Sequence, residues 1–322
     1  MQNVLFRADA GAGIGYGHFI RLLALADMLK DDFDCVFYTS EPTPYQVAQM
    51  EGVCPYFSLE EKDKFNQFLD CLRGDEIVIL DNYFFTTDYQ RRIKAKGCKL
   101  VCIDDMHNKH YVADLIINQG ICWTKEDYSC ESYTRFAFGL QYSLLRKPFF
   151  EACEKRSVKN GKDGYLSIVA AFGGSDFLDL THKIVLGIKD LPRVRHITAI
   201  VGDRYASEKK IVSEKVEYKK NLTADEIAEL FLNTDIAILP ASTMMNEAMA
   251  CGTLIIGGFY VNNQEYDYYS YMKEKMIIGV GDYSDDNCVE RIIKALSKKE
   301  TRLVNSITPD TPQRMVGLFK SL

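Results

Sequence analysis

Long hydrophobic runs are missing from this 322-residue sequence, and so is an excess of positive charge. No stretch approaches the roughly 18 to 20 apolar residues that a membrane-spanning helix needs, which predicts no integral membrane association. Residues 1–13 have no basic segment followed by an apolar one, which predicts no signal peptide and a cytoplasmic location. The net charge of −6 argues against a nucleic-acid partner.

CxxC cysteine pairs are also missing. The ten cysteines include no CxxC pair, and most of them lie inside apolar, strand-like runs. A structural zinc site needs paired ligands at such spacing. We therefore expect reduced, buried thiols, no metal and no cofactor.

The sequence does contain a repeated alternation of short apolar runs and amphipathic stretches. In the first half, apolar runs predict buried strands at 3–9, 35–40, 77–82, 99–105, 113–118 and 134–139. Between them, the pattern predicts helices at 17–30, 61–72 and 87–96. Strands and helices that alternate in this way form a parallel sheet covered on both faces.

A charged, glycine-bearing segment at 153–164 interrupts this alternation and has the composition of an exposed linker. The alternation then resumes, with strands expected at 165–174, 194–202, 234–241, 253–258 and 276–280. Helices are expected at 178–190, 204–215, 223–232, 243–250, 264–274 and 285–298. We predict two Rossmann-like α/β domains, 1–153 and 164–305, with parallel sheets facing a cleft.

The segment RADAGAGIGYGH, residues 7–18, follows the first strand and opens the first helix. Ligands of open parallel sheets bind at the carboxyl ends of the strands. Glycines there allow close backbone approach, and a helix N-terminus attracts anions. His18 either points toward such a ligand or caps an ordinary strand-to-helix turn.

Acidic residues follow two further strands of the first half. Asp81 and Tyr83 come after one strand, and Asp104 and Asp105 come after the next. Each acid alone is typical of a capped helix or turn. Their clustering at one edge favours a function, but adjacent residues on a strand face opposite sides, which argues against a metal at Asp104 and Asp105.

The second half carries three comparable motifs. FGGSD at 172–176 suits close approach to a phosphate or a sugar, and NNQ at 262–264 offers side-chain amides. Ser242 and Thr243 stand at a predicted helix start, where hydroxyls and backbone amides bind phosphate. Glu247 is one turn farther along and could accept hydrogen bonds from ribose hydroxyls. The alternative is an ordinary capped helix with Glu247 in solvent.

In this order, the motifs resemble the UDP-sugar hydrolases of pseudaminic acid biosynthesis and their relatives in surface-polysaccharide synthesis. The motifs are R-x-D with IGxGHxxRxLxLA (residues 7–26), DNY (81–83), IDD with D-x-x-x-N-Q (103–119), FGLQYSLLRKPF (138–149), FGGSD (172–176), ST…NE (242–247) and NNQ (262–264).

The resemblance implies a GT-B fold and a metal-independent hydrolase that acts on a UDP-linked 2,4-diacetamido-2,4,6-trideoxy sugar. Water would attack the anomeric carbon with inversion. The resemblance also implies that the C-terminal helix, 306–322, packs back on the first domain. It implies catalytic roles for His18, Tyr83 and Asn263. We expect substrate or UDP binding by Arg7, Asp9, Gly15, Gly17, Arg21, Asp81, Gly173, Gly174, Ser175, Asn221, Ser242, Thr243, Glu247 and Gln264.

His18 is our candidate for the group that activates or orients the water, since the helix N-terminus favours the neutral, proton-accepting imidazole. Two alternatives stay open. One is a glycosyltransferase of the same fold that moves the sugar to a hydroxyl acceptor. The other is a nucleotide-sugar binding protein without catalysis, which the joint presence of His18, Tyr83 and Asn263 argues against. The sequence makes no prediction of oligomeric state.

Overall fold

Each half of the chain builds a parallel sheet of its own. The computed structural model describes residues 1–11, 15–156, 164–174, 176–202, 205, 210–297 and 307–322. The chain divides into a first unit, residues 1–147 with 310–322, and a second unit, residues 148–309. The predicted domains are 1–153 and 164–305, so the second unit begins sixteen residues earlier than predicted. Positions 157–163 of the predicted linker, 153–164, lie outside the described residues.

The first unit contains a seven-stranded parallel sheet and a small two-stranded one. Its strands are β1 (Asn3–Arg7), β2 (Asp34–Ser40), β3 (Tyr56–Leu59), β4 (Ile77–Leu80), β5 (Lys99–Ile103), β6 (His110–Tyr111), β7 (Leu115–Asn118), β8 (Ser129–Cys130) and β9 (Arg135–Phe138). The large sheet has the order β3-β2-β1-β4-β5-β7-β9, and β6 pairs with β8. The runs IVIL of β4 and LIIN of β7 are buried throughout, as expected of a parallel sheet that is covered on both faces.

Helices cover both faces of this sheet. They are α1 (Gly17–Leu29), α2 (Pro44–Glu51), α3 (Lys64–Asp70) and α4 (Thr87–Ala95). On one face, Phe6 of β1 shares a core with Phe19 of α1. On the other face, Leu5 of β1 shares a core with Phe68 of α3 and Ile93 of α4. The alternating side chains of β1 thus anchor helices on opposite sides of the sheet.

The second unit contains a six-stranded parallel sheet. Its strands are β10 (Leu166–Ala171), β11 (Val194–Ile200), β12 (Val216–Lys219), β13 (Ile236–Pro240), β14 (Leu254–Phe259) and β15 (Ile278–Asp282), in the order β12-β11-β10-β13-β14-β15. Its helices are α5 (Lys147–Lys155), which begins at the division between the units, α6 (Leu180–Ile188), α7 (Ala224–Leu232), α8 (Thr243–Ala250), α9 (Asn262–Lys273) and α10 (Cys288–Ser297).

The chain ends in α11 (Thr311–Lys320), which packs on α1 within the first unit. Met315 and Phe319 are buried in the same core as Phe19. The Phe319 ring lies 6.3 Å from the ring of Phe33, and Arg135 donates to the Ser321 carbonyl oxygen at 2.9 Å. Among the described residues, no helix combines the length and the apolar character needed to cross a membrane.

The pattern-based prediction missed the edge strands β3 and β12 and the helices α2 and α5. The helix predicted at 204–215 is wrong over 210–215, which is not helical and leads into β12; positions 203, 204 and 206–209 lie outside the described residues. The edge strand β12 has the sequence VEYK and is not fully buried at any position. Its alternation of apolar and charged residues is that of a half-exposed strand, and it lacks the continuous apolar run by which the buried strands were predicted.

Candidate active site

Three adjacent strands of the first sheet, β4, β1 and β5, bring the polar residues of the candidate site to one edge. Asp81 directly follows β4, and Asp105 follows β5. Helix α1 begins at Gly17 after the turn that leaves β1, so His18 lies in its first turn. Parallel strands end at the same edge of a sheet, which places side chains from three separate segments in contact.

His18 and Asp81 form a buried pair. The Nδ1 atom of His18 lies 2.7 Å from Oδ1 of Asp81. Burial raises the pKa of Asp81, but the charge and hydrogen bonds of Arg21, with a smaller contribution from His18, hold it below its ordinary value. An ionised carboxylate can only accept hydrogen bonds, so the contact with Asp81 favours the neutral tautomer that carries its proton on Nδ1 and its lone pair on Nε2, although Nη2 of Arg21 also lies 3.1 Å from Nδ1. This is the tautomer that a general base requires.

Arg21 holds Asp81 from the next turn of α1. Its Nε and Nη2 atoms donate to the two oxygens of Asp81 at 2.6 Å each, which fixes the plane of the carboxylate. Its Nη1 atom donates to Asp105 at 3.0 Å. Burial lowers the pKa of Arg21, and the two carboxylates raise it well above its ordinary value. The sequence predicts Arg21 as a binding residue, whereas the structure gives it the task of orienting Asp81.

Tyr83 is half exposed and stands edge-on to His18. The two ring centroids are 4.6 Å apart with an interplanar angle of 87°. The Tyr83 hydroxyl donates to Oδ2 of Asp105 at 3.3 Å. Lys109 donates to the Tyr83 carbonyl oxygen at 3.0 Å, which fixes the backbone of the turn. The structure thus brings together His18, Asp81 and Tyr83, which the sequence predicts as site residues.

Arg7 and Asp9 form a second buried cluster beside the first. Two guanidinium nitrogens of Arg7 donate to Asp9, one of them at 2.9 Å, and the Lys64 ammonium lies 3.0 Å from Asp9. The Ser40 amide donates to Asp9 at 2.7 Å, and the Asp9 amide donates to Asn82 at 2.7 Å. Arg7 is fully buried and Asp9 nearly so, and the two support each other's charges; their contact with substrate stays a prediction.

The turn between β1 and α1 remains open where it is described. Gly15 has φ +80°, a backbone conformation that favours glycine. A Cβ at Gly15 or Gly17 would meet nothing within 4 Å. The space that a substrate would need to contact these two glycines is therefore open.

In the second unit, the three predicted motifs lie at one edge of the sheet, because β10, β13 and β14 are adjacent. Gly173 and Gly174 follow β10 and are exposed, and Gly173 has φ +79°. Gly202, after β11, approaches this turn so closely that a Cβ there would lie 2.2 Å from the Gly174 oxygen. Ser175 lies outside the described residues.

Helix α8 begins in the middle of this edge. Ser242 is its N-cap residue and makes no side-chain capping hydrogen bond, and Thr243 opens the helix and is partly exposed. Glu247, one turn on, is buried with 4% of its surface exposed. The alternative that placed Glu247 in solvent is therefore wrong, and the carboxylate sits inside the unit close to the helix start.

The NNQ motif forms the first turn of α9. Asn263 is exposed there, whereas Gln264 accepts a hydrogen bond from the Tyr260 amide at 3.1 Å. The Tyr260 hydroxyl donates to the Phe172 carbonyl oxygen at 2.9 Å and so ties this motif to the glycine turn after β10. Asn221 follows β12 at the far edge of the sheet, exposed, with φ +52°.

Asp104, the remaining acid after β5, is satisfied by protein groups. It accepts hydrogen bonds from the hydroxyls of Tyr111 and Tyr128 and from the amides of Met106 and His107. Over the described ranges, no group of three or more His, Cys, Asp or Glu side chains has the geometry to hold a metal ion.

Sequence reasoning missed Lys64 and Tyr260. Lys64 lies within an ordinary amphipathic helix pattern, and only its burial beside Asp9 reveals its role. Tyr260 follows the end of a predicted strand. That position could have indicated a site residue, because ligands of parallel sheets bind at the carboxyl ends of the strands.

Comparisons with known proteins find relatives that match most of the chain. The chain is 27% identical over 280 residues to UDP-2,4-diacetamido-2,4,6-trideoxy-beta-L-altropyranose hydrolase of Campylobacter jejuni, covering 82% of this chain and 94% of that protein. It is 24% identical over 257 residues to spore coat polysaccharide biosynthesis protein SpsG of Bacillus subtilis, covering 76% and 74%. No family model matches the chain.

Among solved structures, Acinetobacter baumannii MurG matches 100% of both chains with a TM-score of 0.65 and 10% sequence identity. This likeness confirms the predicted α/β fold of GT-B type. The similarity to the Campylobacter jejuni hydrolase confirms the resemblance that the motifs indicated.

Proposed function

We propose that this chain acts on a UDP-linked sugar and hydrolyses it at the anomeric carbon. The observation that carries the proposal is the His18–Asp81 pair, which favours the imidazole tautomer with its Nε2 lone pair available to a water molecule. The similarity to a UDP-sugar hydrolase over most of the chain supports the choice of substrate class.

In the proposed reaction, Nε2 of His18 takes a proton from water while the water oxygen bonds to the anomeric carbon. The bond from that carbon to the β-phosphate oxygen breaks, and its electron pair leaves with UDP. Attack opposite to the leaving group inverts the anomeric centre. Asp81 stabilises the protonated imidazole that forms, since its carboxylate is ionised and in direct contact. The proton on His18 then returns to solvent.

We assign UDP binding to the second unit. The first turn of α8 offers backbone amides and the hydroxyls of Ser242 and Thr243 to the diphosphate. Glu247 would accept hydrogen bonds from the ribose hydroxyls, and Gly173 and Gly174 would allow the ligand close to the backbone. The helix end can stabilise the departing diphosphate without a metal.

More narrowly, we propose that the sugar is a 2,4-diacetamido-2,4,6-trideoxy hexose that serves pseudaminic acid biosynthesis in the cytoplasm. The support is the substrate that the name of the Campylobacter jejuni relative states. Tyr83 would pack on the sugar beside His18, and Asn263 would bind the sugar or the water. The polysaccharide role of the Bacillus subtilis relative agrees with a place in surface-glycan synthesis.

A glycosyltransferase activity is the second candidate, and the MurG-like fold favours it. The same His18 base could remove the proton of a hydroxyl acceptor in place of water. The two functions differ only in the nucleophile that reaches the anomeric carbon.

The test is UDP release from a panel of UDP-sugars with no acceptor present. The panel contains UDP-N-acetylglucosamine and UDP-2,4-diacetamido-2,4,6-trideoxy sugars. We expect release from a diacetamido sugar and a drop of about 10²- to 10⁴-fold in turnover for His18→Asn, which cannot accept the proton. His196→Asn, a partly exposed histidine on β11, is the matched control and should retain wild-type turnover.

Two results would contradict this account. If His18→Asn kept near-normal turnover with undisturbed UDP-sugar binding, His18 would not be the base. If the protein bound UDP-sugar tightly but released UDP only after a hydroxyl acceptor was added, the transferase would replace the hydrolase.

A further inference from the structure

Five side chains of the first unit, His18 among them, form a closed series of contacts, which we call the circuit. His18 bonds to Asp81 at 2.7 Å, Asp81 to Arg21 at 2.6 Å, and Arg21 to Asp105 at 3.0 Å. Asp105 accepts from Tyr83 at 3.3 Å, and the Tyr83 ring returns to His18 at 4.6 Å between centroids. Neither the sequence motifs nor the proposed mechanism assigns a role to Asp105.

The charges in the circuit show what Asp105 adds. Without it, the ionised Asp81 and Arg21 cancel each other, and a proton on His18 would leave a net positive charge in a buried cluster. With Asp105 ionised, the circuit carries one net negative charge while His18 is neutral, and it becomes neutral when His18 is protonated. His18, Asp81 and Arg21 are buried, whereas 35% of the Asp105 side chain is exposed, so Asp105 favours the neutral total with a charge that solvent partly screens.

Both residues that donate hydrogen bonds to Asp105 belong to the circuit. Its Oδ2 atom receives both Arg21 and Tyr83. Its Oδ1 atom is buried and accepts no hydrogen bond from any residue that the structure describes. Both donors therefore bind the same carboxylate oxygen, Oδ2. Arg21 also contacts Asp81, and Tyr83 also contacts His18.

Asp105 also holds Tyr83 in place. Tyr83 is half exposed. Its hydroxyl donates to Asp105 at the far end of the ring, while Lys109 donates to its backbone carbonyl oxygen. Asp105 thus contributes to the edge-on geometry between Tyr83 and His18, although in the proposed mechanism it touches neither the imidazole nor the reacting atoms.

We propose that Asp105 is a positioning residue for the reaction of His18: it anchors Tyr83 against the imidazole and supplies the negative charge that balances the protonated base. The role in the reaction rests on the proposed hydrolase function, whereas the effect on His18 protonation does not require turnover.

The charged groups around His18 are Asp81 and Arg21 in direct contact and Asp105 one step farther on, through Arg21 and Tyr83. The Lys109 ammonium contacts the backbone of the Tyr83 turn. Of these groups, Asp105 can be neutralised without breaking the direct His18–Asp81 bond.

The first measurement is the NMR titration of the His18 ring in the full-length protein. The ring signal is assigned by its loss in His18→Gln. Asp105→Asn removes the negative charge, so the protonated imidazole is less favoured and the ring signal should change at a lower pH than in the wild-type protein. Asp105→Glu should restore a wild-type midpoint because the charge returns. Asp88→Asn, an equal charge change at an exposed position of α4, should leave it unmoved.

The second measurement is the rate of UDP release against pH. Asp105→Asn should lower kcat about tenfold while KM changes less than about threefold, since the lost interaction is strongest in the transition state. The rising limb of its kcat/KM profile, which reports the free enzyme, should move to lower pH by the same amount as the NMR midpoint. Tyr83→Phe keeps the charge and should move that limb less than Asp105→Asn does.

An unmoved His18 midpoint in folded Asp105→Asn would overturn the proposal. If Asp105→Asn did not fold, Asp105→Ser would carry the same test, since it also removes the charge. Absence of UDP release from the wild-type protein would overturn the hydrolase function instead, because the titration is read without substrate.

Discussion

At the residue scale, the first unit buries several ionised carboxylates beside cations, and this sets its response to acid. Burial raises the pKa of Asp9, but the hydrogen bonds and charge of Arg7, with further bonds from Ser40 and Lys64, lower it below the ordinary value. Burial acts on Asp81 in the same direction, and Arg21 outweighs it. Both carboxylates are therefore easier to protonate in the unfolded chain than in the folded one.

The sign of the pH dependence follows. A carboxylate with a lowered folded pKa contributes stability above its unfolded value of about 3.9, and this contribution is lost as pH falls through the lower folded value. We expect the free energy of unfolding to drop from about pH 5 downward. Asp9→Asn should make that slope shallower, by up to about 1.4 kcal/mol per pH unit for one proton.

Urea unfolding between pH 3 and pH 7 measures this slope. Asp88→Asn, at an exposed site on α4, is the control and should keep the wild-type slope. An acid limb that is as steep in Asp9→Asn as in the wild type would show that Asp9 is not ionised with a lowered pKa in the folded state.

At this scale, the sequence predicts which residues reach the edge but not which of them touch a ligand. Asp81, Tyr83 and His18 follow strands or open a helix, and strand topology alone is enough to bring them together. Arg7 and Asp9 share that position yet bury their charges on each other and on Lys64. Lys64 lies on α3, so its position beside Asp9 depends on tertiary packing, which no local sequence pattern predicts.

At the scale of elements, the glycine turn after β10 depends on a second glycine after β11. A Cβ at Gly202 would lie 2.2 Å from the Gly174 oxygen, so Gly202→Ala must displace the turn that carries Gly173 and Gly174. We expect a loss of about 1–3 kcal/mol in stability and weaker UDP binding. Urea unfolding and titration calorimetry with UDP measure the two effects.

Gly317→Ala is the matched control. Gly317 lies inside α11, and a Cβ there would meet nothing within 4 Å. Because alanine is the better helix former, this change should stabilise the protein by about 0.5–1 kcal/mol and leave UDP binding unchanged. Wild-type stability and wild-type UDP affinity in Gly202→Ala would contradict the packing of the two glycine turns.

The elements that the sequence reveals are those with a strong burial pattern. Strand β4 is apolar at every position and β7 at every position but Asn118, because both faces are covered, and both strands were predicted. The edge strands β3 and β12 are partly exposed and carry charged or polar residues, so their composition does not distinguish them from helices or loops. Pairing with β2 and β11 decides their conformation.

At the scale of the whole molecule, each of the two parallel sheets supplies different residues to the proposed reaction. The first unit gathers a histidine base and its carboxylates at the end of β4 and β5, and the second gathers glycines, hydroxyls and a buried carboxylate around the start of α8. The C-terminal α11 closes the core of the first unit through Met315 and Phe319. The alternation of strands and helices predicts both sheets, but the return of α11 to the first unit rests on contacts remote in sequence.

Hydrolysis in water enriched in ¹⁸O tests the central claim most directly. The full-length protein is incubated with a UDP-2,4-diacetamido-2,4,6-trideoxy sugar and no acceptor, and both products are analysed by mass spectrometry. Attack of water on the anomeric carbon predicts ¹⁸O in the free sugar and none in UDP. Label in the UDP phosphate would show cleavage of the P–O bond instead, and absence of products until a hydroxyl acceptor is added would show a transferase.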